Sequence, residues 1–388
     1  MQRLRVLLVY VALLYGALAA LATAARADDE GTPAAPATEA AAPSDAAATD
    51  AAPSNSSDDK PHIAALLPLK SASFGRLADA VRRGIEAGAS TGDTEKALPV
   101  IVYPTGDAAK DIVDTYDRAL RAGARFVIGP LTRHAVQALA TSNSVSVPTL
   151  ALSVPEGDTL LPDHMYALGV QMEVEARQIA RVAQSQGKRR AVVINTDNAL
   201  SKRIAQAFMD EWTRNERMIV DQHVFTTDQG RLKRIRDSFV PNRVDALFLA
   251  LDGARARQIR PYLSKTIATY GTSQINSSDG TVLGQHDLNG VVFLDMPWLV
   301  SPDHPAVLGF PRLVGVFQTF DQDRFYAIGI DAWRLAQLLL DGSYSNLESL
   351  DGVSGLLSPG PARQFVREPV PVQFVQGVAR PIDPVNLR

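Results

Sequence analysis

Eight short apolar runs, separated by amphipathic helical stretches, constrain the fold of this chain more than any other feature of its sequence. Each run is continuous rather than alternating, as expected for strands buried on both faces of a sheet. The runs are residues 63–67, 100–103, 126–128, 149–152, 191–194, 246–251, 267–270 and 291–294. Strand–helix alternation predicts parallel sheets joined by right-handed crossovers. The predicted fold class is therefore α/β, with parallel sheets flanked by helices.

The alternation breaks near residues 166–171 and again around 295–303. Strand–helix units lie on both sides of the first break, and roughly 330 residues usually exceed a single core. We therefore predict two similar lobes that the chain crosses between more than once. The first lobe is assigned residues 62–167 and 295–342, and the second is assigned residues 168–294 and 343–388.

The N-terminus has the three parts of a secretory signal. Arg3 and Arg5 precede the apolar stretch 6–21, and residues 25–27 offer the small side chains of a cleavage site. Residues 1–27 are therefore predicted to be a signal peptide that exports the protein through the Sec route. We expect a periplasmic protein, either soluble or tethered by an uncleaved signal, because the apolar stretch is nearly long enough to span a bilayer.

Residues 28–61 form a segment of Ala, Pro, Ser, Thr and acidic residues with no aromatic or large aliphatic side chain. Such a segment cannot bury enough apolar surface to offset the entropy of ordering, so it is predicted to be a disordered tether. It carries eight acidic residues and one basic residue. The remainder is close to neutral, and nothing in this charge balance indicates nucleic-acid binding.

Enzyme and cofactor motifs do not occur in the chain. There is no G-x-S-x-G, P-loop, G-x-G-x-x-G or H-E-x-x-H sequence, and the six histidines form no i, i+4 pair. The S-x-x-K match at Ser57 and Lys60 lies in the predicted tether, where no scaffold would hold a nucleophile. We expect no catalytic residue, no metal site and no cofactor, although an acid/base pair assembled from distant residues stays open.

Three segments carry a family resemblance. Residues 125–131 (RFVIGPL) are similar to the Gly-Pro-Leu turn of type I periplasmic binding proteins. Residues 323–333 (DRFYAIGIDAW) resemble the late helix of the penicillin-binding-protein activator family, of the LpoA or LppC type. Residues 350–356 (LDGVSGL) resemble the Gly-x-x-Gly segment that both groups share.

The resemblance covers the chain from residue 62 to the C-terminus. It implies a two-lobed type I periplasmic-binding-protein-like fold with three inter-lobe crossings. It also implies that the protein stimulates a class A penicillin-binding protein, the bifunctional synthase that polymerises and cross-links peptidoglycan. The chain departs from the family because it contains no cysteine, so no lipid anchor is expected, and because residues 28–61 stand in the place of a helical-repeat domain.

A ligand cleft is predicted where the carboxyl ends of the strands meet. The candidate residues are Ser71, Ser73, Phe74, Gly129, Pro130, Thr132, Ser153, Tyr166, Asn195, Asp197 and Asp252. Ser71, Ser73 and Thr132 lie at helix starts, where they either help to hold an anion or cap the helix. Tyr166 faces either the cleft or the hinge.

Trp298 in the second break and two residues of the later helix, Gly329 and Asp331, are interpreted separately. Gly329 lies within a predicted helix, which favours close backbone packing. Asp331 in the same helix bonds to a neighbouring loop, faces solvent or faces the cleft. Trp298 either anchors a partner or packs in the hinge.

Two functional hypotheses follow. The first is a non-enzymatic periplasmic regulator that binds and activates a class A penicillin-binding protein in peptidoglycan synthesis, by differential binding to two states of its partner. The alternative is a periplasmic solute-binding receptor for a small molecule, used in transport or sensing. A receptor needs convergent polar groups in the cleft and hinge closure, whereas a regulator can have a filled cleft and an apolar outer patch.

Overall fold

Two β-sheets flanked by helices make up the computed structural model of this protein, which describes residues 60–91, 97–157, 159–214, 216–239, 243–280 and 282–382. All of these residues belong to one structural unit, Ser56–Arg388. The predicted signal peptide and residues 28–59 of the predicted tether lie outside the described residues. Within that described part, no helix combines the length and apolarity that a membrane crossing requires.

The strands, in chain order, are β1 His62–Leu67, β2 Val100–Pro104, β3 Ala124–Ile128, β4 Thr149–Ala151, β5 Met165–Leu168, β6 Arg190–Asn195, β7 Met218–Val224, β8 Ala246–Ala250, β9 Ala268–Gly271, β10 Val291–Asp295, β11 Leu350–Asp351, β12 Leu356–Pro359, β13 Gln364–Glu368, β14 Val370–Val375 and β15 Val378–Pro381. The α-helices are α1 Gly75–Thr91, α2 Ala109–Arg121, α3 Arg133–Ala140, α4 Met172–Ser185, α5 Ala199–Thr213, α6 Gln229–Ser238, α7 Gly253–Ile259, α8 Val282–Gln285, α9 Pro297–Val300, α10 Pro305–Leu308 and α11 Phe320–Leu340. Each of the eight predicted strands is confirmed.

Both sheets have the same parallel core. The first runs in the order β11-β12-β13-β5-β4-β3-β1-β2, and the second in the order β15-β14-β10-β9-β8-β6-β7. In each, five successive strands of the chain pair in parallel in the order 2-1-3-4-5. Strands from the C-terminal part extend one edge of each sheet: β13 pairs in parallel with β5, β14 pairs antiparallel with β10, and the remaining additions, β11, β12 and β15, are antiparallel. The predicted α/β class with two similar lobes is therefore confirmed.

The chain crosses between the sheets three times: after β5, after β10, and between β13 and β14. The sequence predicted that residues 343–388 belong to the second lobe. The structure divides them between the two lobes. Gln364 and Phe365 pair in parallel with Ala167 and Leu168, so β11–β13 extend the first sheet. Only β14 and β15 join the second. These short strands have partly exposed faces and no continuous apolar run, so the sequence does not indicate which sheet edge they join.

Two helices of the first lobe pack unusually closely. A Cβ atom on Gly84 of α1 would lie 2.1 Å from the carbonyl oxygen of Tyr326 and 2.9 Å from the Cα of Gly329 in α11. A Cβ atom on Gly329 would lie 2.2 Å from the carbonyl oxygen of Val81. Backbone atoms occupy the space on both sides, which confirms the interpretation of Gly329 as a packing residue. This contact ties the returning chain after β10 to the first lobe.

Candidate functional site

A buried ion pair joins the two lobes at the second crossing. Arg324, in the first turns of α11, donates from Nε and Nη2 to the two carboxylate oxygens of Asp295, at 3.0 and 2.9 Å. Its Nη2 also donates to the carbonyl oxygens of Ser273 and Asn276, both in the second lobe. Burial alone would lower the pKa of Arg324, but the adjacent Asp295 carboxylate raises it, so the guanidinium stays charged.

A second buried ion pair lies at the first and third crossings. Arg367, at the end of β13, donates to Oε1 of Glu175 in α4 at 2.8 Å, and both side chains are buried. Oε2 of Glu175 accepts from the backbone N–H of Ser273 at 3.0 Å. Ser273 therefore links the two ion pairs, since its carbonyl accepts from Arg324. All three crossings meet in one hydrogen-bonded network, which restrains the hinge.

Asp331 anchors the loop between β11 and β12. Its buried carboxylate accepts from the backbone N–H and the hydroxyl of Ser354, at 2.8 and 2.6 Å, and from the N–H of Val353 at 3.1 Å. Burial raises the pKa of Asp331 above its ordinary value, although the hydrogen bonds from Ser354 oppose that shift. The interpretation that Asp331 bonds to a neighbouring loop is confirmed, and Ser354 in turn accepts from Arg367 through its carbonyl.

A more exposed clamp spans the cleft between the lobes. Glu173, at the start of α4, accepts from Arg133 at the start of α3 at 3.1 Å and from Arg203 in α5 at 2.9 Å. Arg133 belongs to the first lobe, whereas Glu173 and Arg203 belong to the second. Burial would raise the pKa of Glu173, but the hydrogen bond from Arg203 and the charges of both arginines hold it below its ordinary value.

In the first lobe, the predicted cleft residues Ser71 and Thr132 form local hydrogen bonds. Ser71 accepts from the N–H of Phe74 at 3.1 Å and lies 3.3 Å from the hydroxyl of Ser73. Thr132 caps α3 by accepting from the N–H of Ala135. The capping interpretation therefore accounts for Ser71 and Thr132, and their role in ligand contact stays a prediction.

The predicted Gly129 and Pro130 pair with the neighbouring strand end. Gly129 donates to the carbonyl of Leu150, and the carbonyl of Pro130 accepts from Leu152. Gly129 has φ +114°, and a Cβ there would lie 2.1 Å from the carbonyl oxygen of Leu66, so only glycine fits this turn. Ser153 follows at the end of β4 and is partly buried.

Tyr166 does not join the strand-end loops. It lies within β5, and its ring meets that of Tyr344 edge-on, with centroids 5.2 Å apart. Tyr344 in turn meets Phe365 of β13 in the same manner. This arrangement favours the interpretation of Tyr166 as a packing residue near the hinge.

In the second lobe, the predicted residues lie at the ends of β6 and β8. Asn195 is buried and accepts from the amide of Gln222 at 2.8 Å, and Asp197 is exposed and pairs with Lys202. Asp252 caps α7 and forms an ion pair with Arg255. Of these predicted residues, Asp252 alone lines the small cavity at this edge.

That cavity has a volume of about 60 Å³ and is lined by Thr196, Asn198, Leu200, Ser201, Ala250, Leu251, Asp252 and Gln274. Its polar groups are already used locally: Asn198 accepts from the N–H of Ser201, and the hydroxyl of Ser201 donates to the carbonyl of Ala250. Pockets that enclose a small organic ligand are several times larger, at roughly 300–1,000 Å³. No group of three metal-binding side chains occurs among the residues that the structure describes.

Sequence reasoning missed the charged residues that join the lobes: Arg133, Glu173, Glu175, Asp295, Arg324 and Arg367. Asp295 and Arg324 carried a signal, because each is a charge adjoining an apolar run or stripe. Their pairing was not deducible, since it depends on where the chain crosses between lobes.

An exposed apolar ridge, which we define by Leu308, Val314 and Val316, lies at the end of α10 and in the segment that joins α10 to α11. These side chains are 68%, 91% and 44% exposed. Phe310, Leu313 and Phe317 of the same segment pack inward against the first-lobe core. Nearby Trp298 is buried, tilted against Tyr326 with ring centroids 5.1 Å apart, and covered by Arg312. The hinge-packing interpretation of Trp298 is therefore correct, and the ridge rather than Trp298 offers apolar surface.

Comparison with known families decides where this fold belongs. A family model described as "LppC putative lipoprotein" matches residues 36–377. The chain belongs to the LppC family. Among curated relatives, the penicillin-binding protein activator LpoA of Pectobacterium parmentieri is 25% identical over 341 residues, which cover 76% of this chain and 50% of that protein. The chain spans about half the length of the curated relatives it matches.

Solved structures agree on the architecture. The C-domain of LpoA (YraM) from Haemophilus influenzae, "a regulator of PBP1A", superposes with a TM-score of 0.69 at 21% identity, covering 83% of this chain and all of that one. A "putative branched-chain amino acid ABC transporter" from Chromobacterium violaceum superposes with a TM-score of 0.68 at 37% identity, covering 81% of this chain and 100% of that one. This LppC-family chain therefore has a type I periplasmic-binding-protein-like fold.

Proposed function

We propose that this protein is a non-enzymatic periplasmic regulator that binds and activates a class A penicillin-binding protein in peptidoglycan synthesis. Membership of the LppC family supports the proposal, as does its similarity to proteins named penicillin-binding protein activators. The predicted signal peptide supports a periplasmic location. Activation of this kind requires no catalytic group, because the regulator needs only to bind the active state of its partner more tightly than the inactive state.

The exposed ridge of Leu308, Val314 and Val316 is the observation that carries the proposal. Apolar side chains held outward from a rigid segment are typical of protein interfaces. Phe310, Leu313 and Phe317 anchor the same segment, so the ridge is preorganised. We propose that the synthase docks here.

The hinge favours a rigid scaffold over a closing receptor. Opening or closing the lobes would disturb the Arg324–Asp295 and Arg367–Glu175 pairs, which are buried and linked through Ser273. Separating buried charges is costly. We infer that the lobes present a fixed surface to the partner.

A pull-down from the envelope extract of the host tests this interface. The wild-type chain is expected to recover a class A penicillin-binding protein, and the double variant Leu308→Asp/Val314→Asp is expected to weaken recovery by about tenfold or more, because both charges would be buried in the contact. Leu160→Asp serves as the matched control, since Leu160 is 78% exposed elsewhere in the first lobe. Equal recovery by all three proteins would exclude the ridge as the docking site.

A solute-binding receptor is the second candidate function. Its support is the 37% identity to the Chromobacterium violaceum structure, whose name refers to branched-chain amino acid transport. Thermal denaturation in the presence of leucine, isoleucine or valine distinguishes the two functions. A saturable rise in the melting temperature would favour the receptor, whereas an unchanged melting temperature together with recovery of the synthase favours the regulator.

A further inference from the structure

A second, larger cavity lies at the opposite end of the second lobe from the hinge. It has a volume of about 580 Å³ and is bordered by the starts of β9 and β10, the loop after α4 and the turn at residues 260–268. The strands of this sheet run toward the hinge, where Asn195, Gly271 and Asp295 end them. The cavity is therefore separate from the cleft and from the apolar ridge. Its size matches that of pockets for small organic molecules.

Arg260 is the feature of this cavity that needs explanation. Its side chain lines the cavity, yet the residue is only 4% exposed. Its Nη1 donates to the carbonyl of Ser264 at 3.3 Å, whereas its Nε is buried without a hydrogen-bond partner. Within the described chain it forms no ion pair, and burial lowers its pKa. By contrast, the buried Arg324 and Arg367 each face a carboxylate.

The charges around Arg260 are mostly positive. Lys188 and Lys265 also line the cavity, and neither forms an ion pair with a described residue. Asp287 is the acidic side chain of the lining. Three cations around one acid leave an excess of positive charge in a concave, partly desolvated site.

Beside the apolar Ile267, Ala268 and Val292, the lining has polar groups that suit a hydrogen-bonding ligand. Gln186, Thr266, Asn289 and Gln373 contribute amide and hydroxyl groups to the wall. A buried guanidinium with an unused N–H is stabilised by an oxyanion, with which it forms charge-assisted hydrogen bonds. We propose that this cavity binds a small polar molecule through a carboxylate or phosphate group held by Arg260, with Lys188 and Lys265 at its mouth.

Titration of the purified full chain with inorganic phosphate and, separately, with succinate tests this site. The Nε–Hε signal of Arg260 in NMR spectra reports directly on the unpartnered nitrogen. We expect a saturable shift of that signal with at least one of the two anions, at constant ionic strength set by chloride. Tighter binding of phosphate would identify a phosphate-bearing ligand, and tighter binding of succinate would identify a carboxylate-bearing one.

Two double lysine variants, one at the cavity and one elsewhere, test the charge of the site. Lys188→Gln/Lys265→Gln at the cavity leaves Arg260 and the core intact, and we expect it to weaken anion affinity on the order of tenfold, because two nearby charges are removed. Lys110→Gln/Lys233→Gln removes two exposed lysines elsewhere and is expected to leave the affinity unchanged. The proposal is overturned if the Arg260 signal responds to neither anion, or if both double variants respond like the wild type.

Discussion

At the level of single residues, the side chains that matter most are charged groups withdrawn from water between the lobes. Arg324 and Asp295 share two hydrogen bonds, and both are buried. Neither residue was predicted as functional, although Asp295 ends an apolar run and Arg324 lies in the motif 323–333. A sequence indicates that such a charge needs a partner, but only the crossing of the chain between lobes decides which partner it meets.

Replacement of Arg324 by Met should lower the free energy of unfolding by about 3–5 kcal/mol, because the Asp295 carboxylate would remain buried without its counter-ion. Urea denaturation measures the change. Arg236→Met is the control, since Arg236 and Asp237 form an exposed pair expected to contribute less than about 1 kcal/mol. The double variant Arg324→Met/Asp295→Leu should recover part of the lost free energy of unfolding. If the double variant loses as much as the single variants Arg324→Met and Asp295→Leu lose together, this explanation is contradicted.

Glu173 gives the inter-lobe clamp a pH dependence. Its folded-state pKa lies below the usual value of 4.5, so the unfolded chain takes up a proton there before the folded chain does. The stability that Glu173 contributes is therefore fully present above about pH 5 and is lost as the pH falls through its folded pKa.

Comparison of wild type with Glu173→Gln in urea denaturation from pH 7 to pH 3 measures this contribution. We expect the wild type to be the more stable protein at pH 7 and the difference to shrink as the solution is acidified. A difference that stays constant across the range would show that the Arg133 and Arg203 contacts do not depend on the Glu173 charge.

At the level of elements, the continuous apolar runs predicted the central strands well, because a strand buried on both faces is apolar at successive positions of the sequence. The edge strand β2 was also predicted from its apolar run, but β7 and β11–β15 have no such run. β7 is made of exposed and half-buried residues, and β12, β14 and β15 each contain a proline. For the candidate cleft, whether Thr132 or Asp252 caps a helix or binds a ligand depends on neighbours that the sequence does not identify.

The α1–α11 contact makes a sharp prediction at this scale. Gly84→Ala should lower the free energy of unfolding by about 1–3 kcal/mol or more, since the added methyl group would meet backbone atoms on the facing helix. Gly309→Ala is the control, because a Cβ at Gly309 has no neighbour within 4 Å and its φ is −73°. Thermal or urea denaturation distinguishes them, and equal stability of the two variants would refute the close contact.

At the level of the whole molecule, two lobes of the same topology were predictable from the repeated strand–helix pattern, whereas the membership of residues 343–388 was not. The late strands divide between the sheets, and this division creates the third crossing and places Arg367 opposite Glu175. The resulting network restrains the hinge, while the apolar ridge is exposed on one lobe. We therefore regard the molecule as a scaffold that presents a binding surface to a partner, rather than a receptor whose lobes close on a solute.

The rate of peptidoglycan cross-linking by a purified class A penicillin-binding protein, measured with increasing amounts of this protein, tests that proposal most directly. We predict a saturable rise in the transpeptidation rate with the wild type, and a shift of the half-maximal concentration by about tenfold with Leu308→Asp/Val314→Asp. An unchanged rate at saturating protein, with leucine or a related solute raising the melting temperature of the same preparation, would contradict it and assign the protein to solute binding.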